Sequence, residues 1–274
     1  MATLAGKTKV DIVVPSVDIG EVHSALLRDM TIMLAQAGIS VVCTVHLEDH
    51  PENLLSTIRE TDAAVLPLFP LDEKTLGELK KCEATVLDSL LQGKDRQNPA
   101  NLVTFQMAKI QVDAQVKRNR RHLAFVHWRG KYPENAATVY YFFAQMVCQA
   151  TGLASPIQLE LPTDPENIAS YLLAALQKHP SLDGFCAIDD TTAMAIVHGL
   201  RECGRMVPQD GSVVGGFDSP AGQVSRPPIS SINVDTQALA YQELMHIAQR
   251  EGDELDLGKA PSGQLLQYVS RESV

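Results

Sequence analysis

Residues 183–215 read DGFCAIDDTTAMAIVHGLRECGRMVPQDGSVVG, and their rhythm decides the fold. The apolar run Gly184 to Ile188 ends at an acidic pair, Asp189 and Asp190. Helical spacing then runs from Thr191 to Cys203, and a second β-rich run covers Ser212 to Gly215. Strands that alternate with amphipathic helices build parallel sheets with helices on both faces.

The same rhythm extends outward in both directions. Upstream, the spacing predicts strand Leu123–His127, helix Asn135–Ala150, strand Ile157–Leu161 and helix Pro165–Lys178. Downstream, Pro227 and Pro228 break the chain before strand Ser230–Val234, helix Gln237–Arg250 and a last strand, Leu265–Val269. The first part of the chain repeats the pattern. Strand Val10–Val14 ends at Pro15, and helix Glu21–Ala37 stops at Gly38, a glycine C-cap. Strand Ile39–Val45, helix Pro51–Arg59, strand Ala63–Leu68, helix Asp72–Lys80 and a short strand Ala84–Leu87 follow. Gln92 to Asn101 reads as a surface loop, Asn101–Thr104 as an edge strand and Met107–Lys117 as a helix. Two such runs in series predict an α/β protein of two doubly wound parallel-sheet lobes. The 274 residues suit two lobes that each bury a core.

Composition narrows the function. There are 33 acidic against 23 basic side chains, a net charge of -10. A DNA-binding surface needs a surplus of Lys and Arg to displace phosphate counterions, so this chain by itself is expected to bind duplex DNA poorly. The basic run Lys117, Arg118, Arg120, Arg121 and His122 reads as a solvated helix end complementing the helix dipole, with a nucleic-acid patch as the lesser reading. Cys43, Cys82, Cys148, Cys186 and Cys203 are odd in number, widely spaced and free of any CxxC pair, which points to reduced, mostly core thiols in a cytoplasmic protein. No apolar run is long enough for a membrane span.

In doubly wound sheets, ligands bind beyond the carboxyl ends of the strands. That rule selects Ser16 and Asp18 after the first strand, Phe69 after the third, and Trp128 after the strand ending at His127. It also selects Asp189, Asp190, Phe217 and Asp218. Carboxylates accept hydrogen bonds from paired hydroxyls, and aromatic faces cover the apolar side of a ring, so this set suits a polyhydroxylated ligand. Each residue also has a plainer role. Asp190, or Asp189, caps the helix that follows, Trp128 packs in the core, and Asp218 is a turn residue. No GxSxG, Walker, GxGxxG or HExxH motif is present, which argues against an enzyme and against a nucleotide cofactor; no cofactor is expected. His46 and His50 straddle a strand end and a loop, so they lack the helical i,i+4 geometry that would converge both rings on a metal, and no metal site is expected.

From Asp183 to Asn233 the chain resembles the lactose/galactose repressor family of bacterial transcription regulators. The parallels are Asp183-Gly184, Asp189-Asp190, Leu200-Arg201-Glu202, Gly204, Val207-Pro208, Ser212 to Gly215 and Arg226-Pro227-Pro228, with Val269 to Ser273 similar to that family's tail. The resemblance implies a core like the type I periplasmic binding proteins, with an N-terminal lobe of residues 1–121 plus 234–261 and a C-terminal lobe of residues 122–233 plus 262–274. It also implies that the core closes on a small-molecule effector and forms a homodimer. The family's DNA-reading headpiece has no counterpart in these residues, so operator DNA would be contacted only through an upstream headpiece.

The family's effector contacts map unevenly. Its asparagine at the mouth of the second lobe falls on Asp189, and its aspartate after the Gly-aromatic pair on Phe217 or Asp218. Its lobe-junction aspartate falls on Gln106. Its sugar-gripping arginine falls near Tyr140, in a helix without any arginine. These departures point away from a standard hexose and toward a less polar ligand or a lost pocket. The alternatives in other classes are a solute-binding protein of a transport system and a headpiece-less regulator acting through protein contacts.

Overall fold

The computed structural model describes residues 3–15, 20–47, 51–68, 71–87, 99–131 and 134–274. They form two compact units. Unit 1 holds residues 1–102 and 235–265, and unit 2 holds residues 103–234 and 266–274.

In unit 1, β1 (Lys9–Pro15), β2 (Ser40–His46) and β3 (Ala64–Pro67) make a parallel sheet in the order β2-β1-β3. Their β-branched residues favour a pleated, buried surface, and the central strand from Val10 to Val14 is buried throughout. Side chains alternate across the sheet. Val13 and Val65 therefore meet Leu54 and Ile58 of α2 (Pro51–Thr61) and Leu79 of α3 (Glu73–Lys81). α1 (Gly20–Gln36) packs against α9 (Thr236–Glu251) and β2. There Thr236 Oγ1 donates to buried Asp29 at 2.6 Å. Gly38 lies just past α1 with φ +83°, the left-handed conformation expected of a residue closing a helix. The expected strand Ala84–Leu87 reduces to one parallel bridge, Val65 to Val86.

In unit 2, β4 (Leu123–Trp128), β5 (Ile157–Leu161), β6 (Gly184–Ala187) and β7 (Ser212–Val214) form a parallel sheet in the order β5-β4-β6-β7. One face packs on α6 (Ile168–Lys178) and α7 (Asp190–Glu202) through Val126, Leu161, Phe185, Leu172, Ile196 and Leu200, all buried. Phe125, on the other face, meets Tyr140 of α5 (Glu134–Ala150) edge to face, with centroids 5.4 Å apart. α8 (Pro220–Val224) is a short helix that the sequence does not announce. β8 (Ser231–Val234) and β9 (Leu266–Val269) pair antiparallel in a separate two-stranded sheet, the exception to the parallel expectation. A parallel bridge, Val214 to Ser230, ties this pair to β7.

One further expectation needs correcting. Asn101–Thr104 is not a strand but part of α4 (Pro99–Lys117). Pro99 starts that helix because a proline in the first turn removes an N–H that has no helical partner there. α4 belongs to unit 2 from Val103 onward. The cause is Gln111 and Gln115, one turn apart on α4 and fully buried in unit 2. Gln111 Nε2 donates to Ala187 O (2.8 Å) and Gly215 O (2.9 Å). Gln115 Nε2 donates to Phe185 O (3.0 Å) and Ser212 O (3.2 Å). The two amides fasten α4 across β6 and β7.

Candidate functional site

The carboxyl ends of β4, β6 and β7 gather the candidate residues of unit 2. α7 starts one residue earlier than its spacing suggests, and this reverses the roles of the acidic pair. Asp189, with extended backbone, is the N-cap, and its Oδ1 accepts from Thr192 N at 2.7 Å. Its Oδ2 meets Lys131 Nζ at 2.8 Å. Lys131 stands in the turn after β4 and had no signal in the sequence beyond its place near a strand end.

Asp190 is the more deeply buried acid, 1% exposed. Its carboxylate accepts from Ser219 N and from Ser231 Oγ, both at 2.6 Å. Its own N–H donates to Gly216 O at 3.0 Å. Burial outweighs these hydrogen bonds and pushes its pKa up to about 6. A Cβ at Gly222 would sit 2.7 Å from Asp190 Oδ2, so a side chain has no room there. Asp190 joins α7 to the loop after β7 and to β8; it is a structural carboxylate.

Phe217 and Asp218 follow, with φ of +79° and +48°. A bulky aromatic in the left-handed region is uncommon and costs on the order of 1–3 kcal/mol unless its surroundings fix it. Here they do so at Asp218. Its N–H donates to Ser231 Oγ (3.0 Å), its carbonyl accepts from Gln223 Nε2 (3.1 Å), and its carboxylate meets Arg271 Nη2 at 2.6 Å. Arg271 also donates to Ile229 O at 2.7 Å. Arg271 lies in the tail that carries the family resemblance, but only the fold brings it to Asp218.

Trp128 ends β4 and is half-buried, packed against the α6–α7 core. Its indole nitrogen is buried with no hydrogen-bond partner among the described residues. Tyr140 is displaced from the expected site. It is 6% exposed, and its hydroxyl donates to Gln111 Oε1, beneath the strand ends. The helix position thus holds a packing aromatic. Gln106 is half-exposed on α4, next to Met107, whose Cε a Cβ at Gly216 would approach to 3.3 Å. Ser16, Asp18, Phe69 and His50 lie outside the described residues.

The strand-end segments of unit 2 thus carry two ion pairs, Lys131–Asp189 and Asp218–Arg271, and two aromatics, Trp128 and Phe217. Among the described residues no cluster of three or more His, Cys, Asp or Glu could hold a metal ion. The five cysteines are free; only Cys148 and Cys186 are buried and Cys43 is exposed, fewer core thiols than the sequence suggests. Burial holds the Cys186 thiol well above its ordinary value, so it stays protonated.

Residues 112–274, which take in most of unit 2 and the 235–265 segment of unit 1, match the periplasmic binding protein-like domain. The chain belongs to that family. Its fold is shared, at low identity, by regulators of the LacI family. The transcriptional regulator CelR in complex with cellobiose aligns over 98% of this chain and 85% of its own, with a TM-score of 0.75 and 17% identity. A LacI-family regulator from Silicibacter pomeroyi aligns over 97% and 98%, at TM-score 0.71 and 18% identity. The Lac repressor bound to ONPG aligns over 97% and 81%, at 0.72 and 14%. In sequence, the HTH-type transcriptional regulator CelR of Thermobifida fusca is 36% identical over 67 residues, 24% of this chain. The match spans 20% of that regulator's length. Among the described residues, no helix is long and apolar enough to cross a membrane.

Proposed function

We propose that this periplasmic binding protein-like chain is the effector-sensing and dimerisation core of a LacI-type transcription regulator rather than an enzyme. The observation that carries this reading is the strand-end edge of unit 2, which holds the ion pairs Lys131–Asp189 and Asp218–Arg271 together with Trp128 at the end of β4 and Phe217 after β7. Both carboxylates already have a cation. A ligand there meets balanced donors and acceptors rather than a net charge, which suits an uncharged polyhydroxylated molecule. The cellobiose complex of CelR, a protein of the same fold, favours the sugar class.

DNA binding in this reading belongs to a headpiece on other residues, since the net charge of -10 opposes contact with phosphates. The effector acts only through unequal affinity for two conformations of the core. Homodimer formation is favoured by exposed apolar side chains on both units. Ile32 on α1 and Cys43 and Val45 on β2 are exposed on elements that pack together in unit 1. Leu173 on α6 and Val224 on α8 are exposed in unit 2.

A thermal-melt screen of sugars, polyols, sugar phosphates, nucleobases and aromatic acids tests the reading. A ligand at 100 times its Kd adds about 2.7 kcal/mol, a shift on the order of several degrees. A saturable shift with one class identifies the effector. Silence across the panel, with no shift in any class, removes the sensor reading in favour of a regulator that works through protein contacts.

A further inference from the structure

The amino-terminal end of the unit 2 sheet, opposite the candidate effector edge, holds a cavity of about 100 Å³. Arg121 and His122 lead into β4 beside it, His179 caps α6, and Ser155 and Ser181 complete the rim over an apolar floor that includes Leu182. No carboxylate lines it. The cavity is lined by one guanidinium, two imidazoles and two hydroxyls, a set of hydrogen-bond donors without a carboxylate side chain among them.

The hydrogen-bonding ledger of these side chains points outward. Asp183, which follows Leu182, turns its carboxylate to backbone amides: it accepts from Arg121 N (3.1 Å) and His122 N (2.9 Å). Arg121 gives one guanidinium N–H to Arg120 O at 3.4 Å and keeps the rest of its five donors. Ser155 Oγ accepts from Gln145 Nε2 at 3.2 Å, which leaves its own O–H to donate. Arg120, by contrast, turns away and donates to Pro208 O and Gln209 O. The basic run is therefore divided: one arginine braces the fold, and the next faces the cavity.

We propose that this cavity is a binding site for a small tetrahedral oxyanion, phosphate or the terminal phosphate of a monoester. Donors arrive from the start of β4, from the end of α6 and from the segments before β5 and β6. Such a spread matches three or four acceptor oxygens better than the two of a carboxylate, and Arg supplies the planar fork that phosphate oxygens accept.

The test is a histidine Cε1 NMR titration of the whole chain at fixed pH and ionic strength, first with inorganic phosphate and then with glycerol phosphate. H122Q and H179Q assign the two resonances among the eight histidines. Saturable shifts confined to His122 and His179 are expected. They should weaken by about tenfold or more in R121Q, the worth of one charge-assisted hydrogen bond. R121Q leaves both backbone amides on Asp183, so the fold is kept. Equal binding of glycerol phosphate assigns the site to a phosphate monoester, and binding of phosphate alone assigns it to the free ion. Absence of a saturable shift at either histidine, or an unchanged affinity in both R121Q and H179Q, overturns the proposal.

Discussion

Gly215 and Asp190 fit with no space between them: a Cβ at position 215 would lie 2.1 Å from Asp190 Oδ1 and 2.8 Å from Ile229 Cγ2. Neither neighbour is free to retreat, since the carboxylate is held by Ser219 and Ser231 and Ile229 is fully buried. Gly215→Ala should therefore cost roughly 2–3 kcal/mol, as overpacked cores do. Gly77→Ala, in α3 with nothing within 4 Å of the new Cβ, should gain up to about 1 kcal/mol from helix propensity. Urea midpoints of the two variants measure both. Equal stability of Gly215→Ala and the parent would mean that Asp190 does not occupy this position.

The buried carboxylate of Asp190 also sets a pH dependence. Its pKa is raised from 3.8 to about 6 in the folded protein, so between those values the folded state binds more protons than the unfolded state. Stability from this group is full below the unfolded pKa and is lost as pH rises to about 6. The loss amounts to roughly 3 kcal/mol. Asp190→Asn has no proton to lose there. The stability difference between parent and variant, followed by urea unfolding from pH 4 to 7, should shift against the parent and level off above pH 6. A flat difference would place the Asp190 pKa in the ordinary range.

Gln111 bridges two strand-end carbonyls and takes the Tyr140 hydroxyl. Gln111→Leu leaves three buried polar groups without a partner and should cost roughly 3 kcal/mol or more. Combined with Tyr140→Phe, which removes one of those groups, the double variant should recover about 1 kcal/mol relative to additivity. Additive losses would show that the hydroxyl and the amide do not interact.

At Asp189, cap and ion pair can be separated. Asp189→Asn keeps an oxygen for Thr192 N and loses the charge opposite Lys131. Asp189→Ala loses both and should cost about 1 kcal/mol of stability through the cap alone. Once the melt screen supplies a ligand, calorimetry should find weaker binding in Asp189→Asn and in Lys131→Met, with little change in melting temperature of the free proteins. Unchanged affinity in both would remove the pair from the site.

The alternating strands and helices were legible in the sequence because each carries its own period. Two features defeat that reading. Val103 and Thr104 are β-branched and follow a proline, yet they continue a helix, because Gln111 and Gln115 further along fasten it to the sheet. The roles of Asp189 and Asp190 hinge on whether α7 starts at 190 or 191, a one-residue choice that helical spacing does not resolve. Phe217 and Asp218 were singled out by strand-end position and by the family resemblance, neither of which announces their left-handed backbone. Lys131 and Arg271 were missed as partners because ion pairs between residues 58 and 53 positions apart leave no local mark.

The chain passes from unit 1 to unit 2 after Leu102, back after Val234, and out again after Leu265. During synthesis, therefore, neither unit can finish in the order in which its residues leave the ribosome. α1 waits for α9 some two hundred residues later, and β8 stays unzipped until residues 266–274 arrive with β9 and Ser273, whose Oγ accepts from Ser230 N and donates to Val213 O. A ribosome halted before residue 266 would hold a unit 2 whose sheet edge at β7 and β8 is unsealed, a species open to chaperones and proteases.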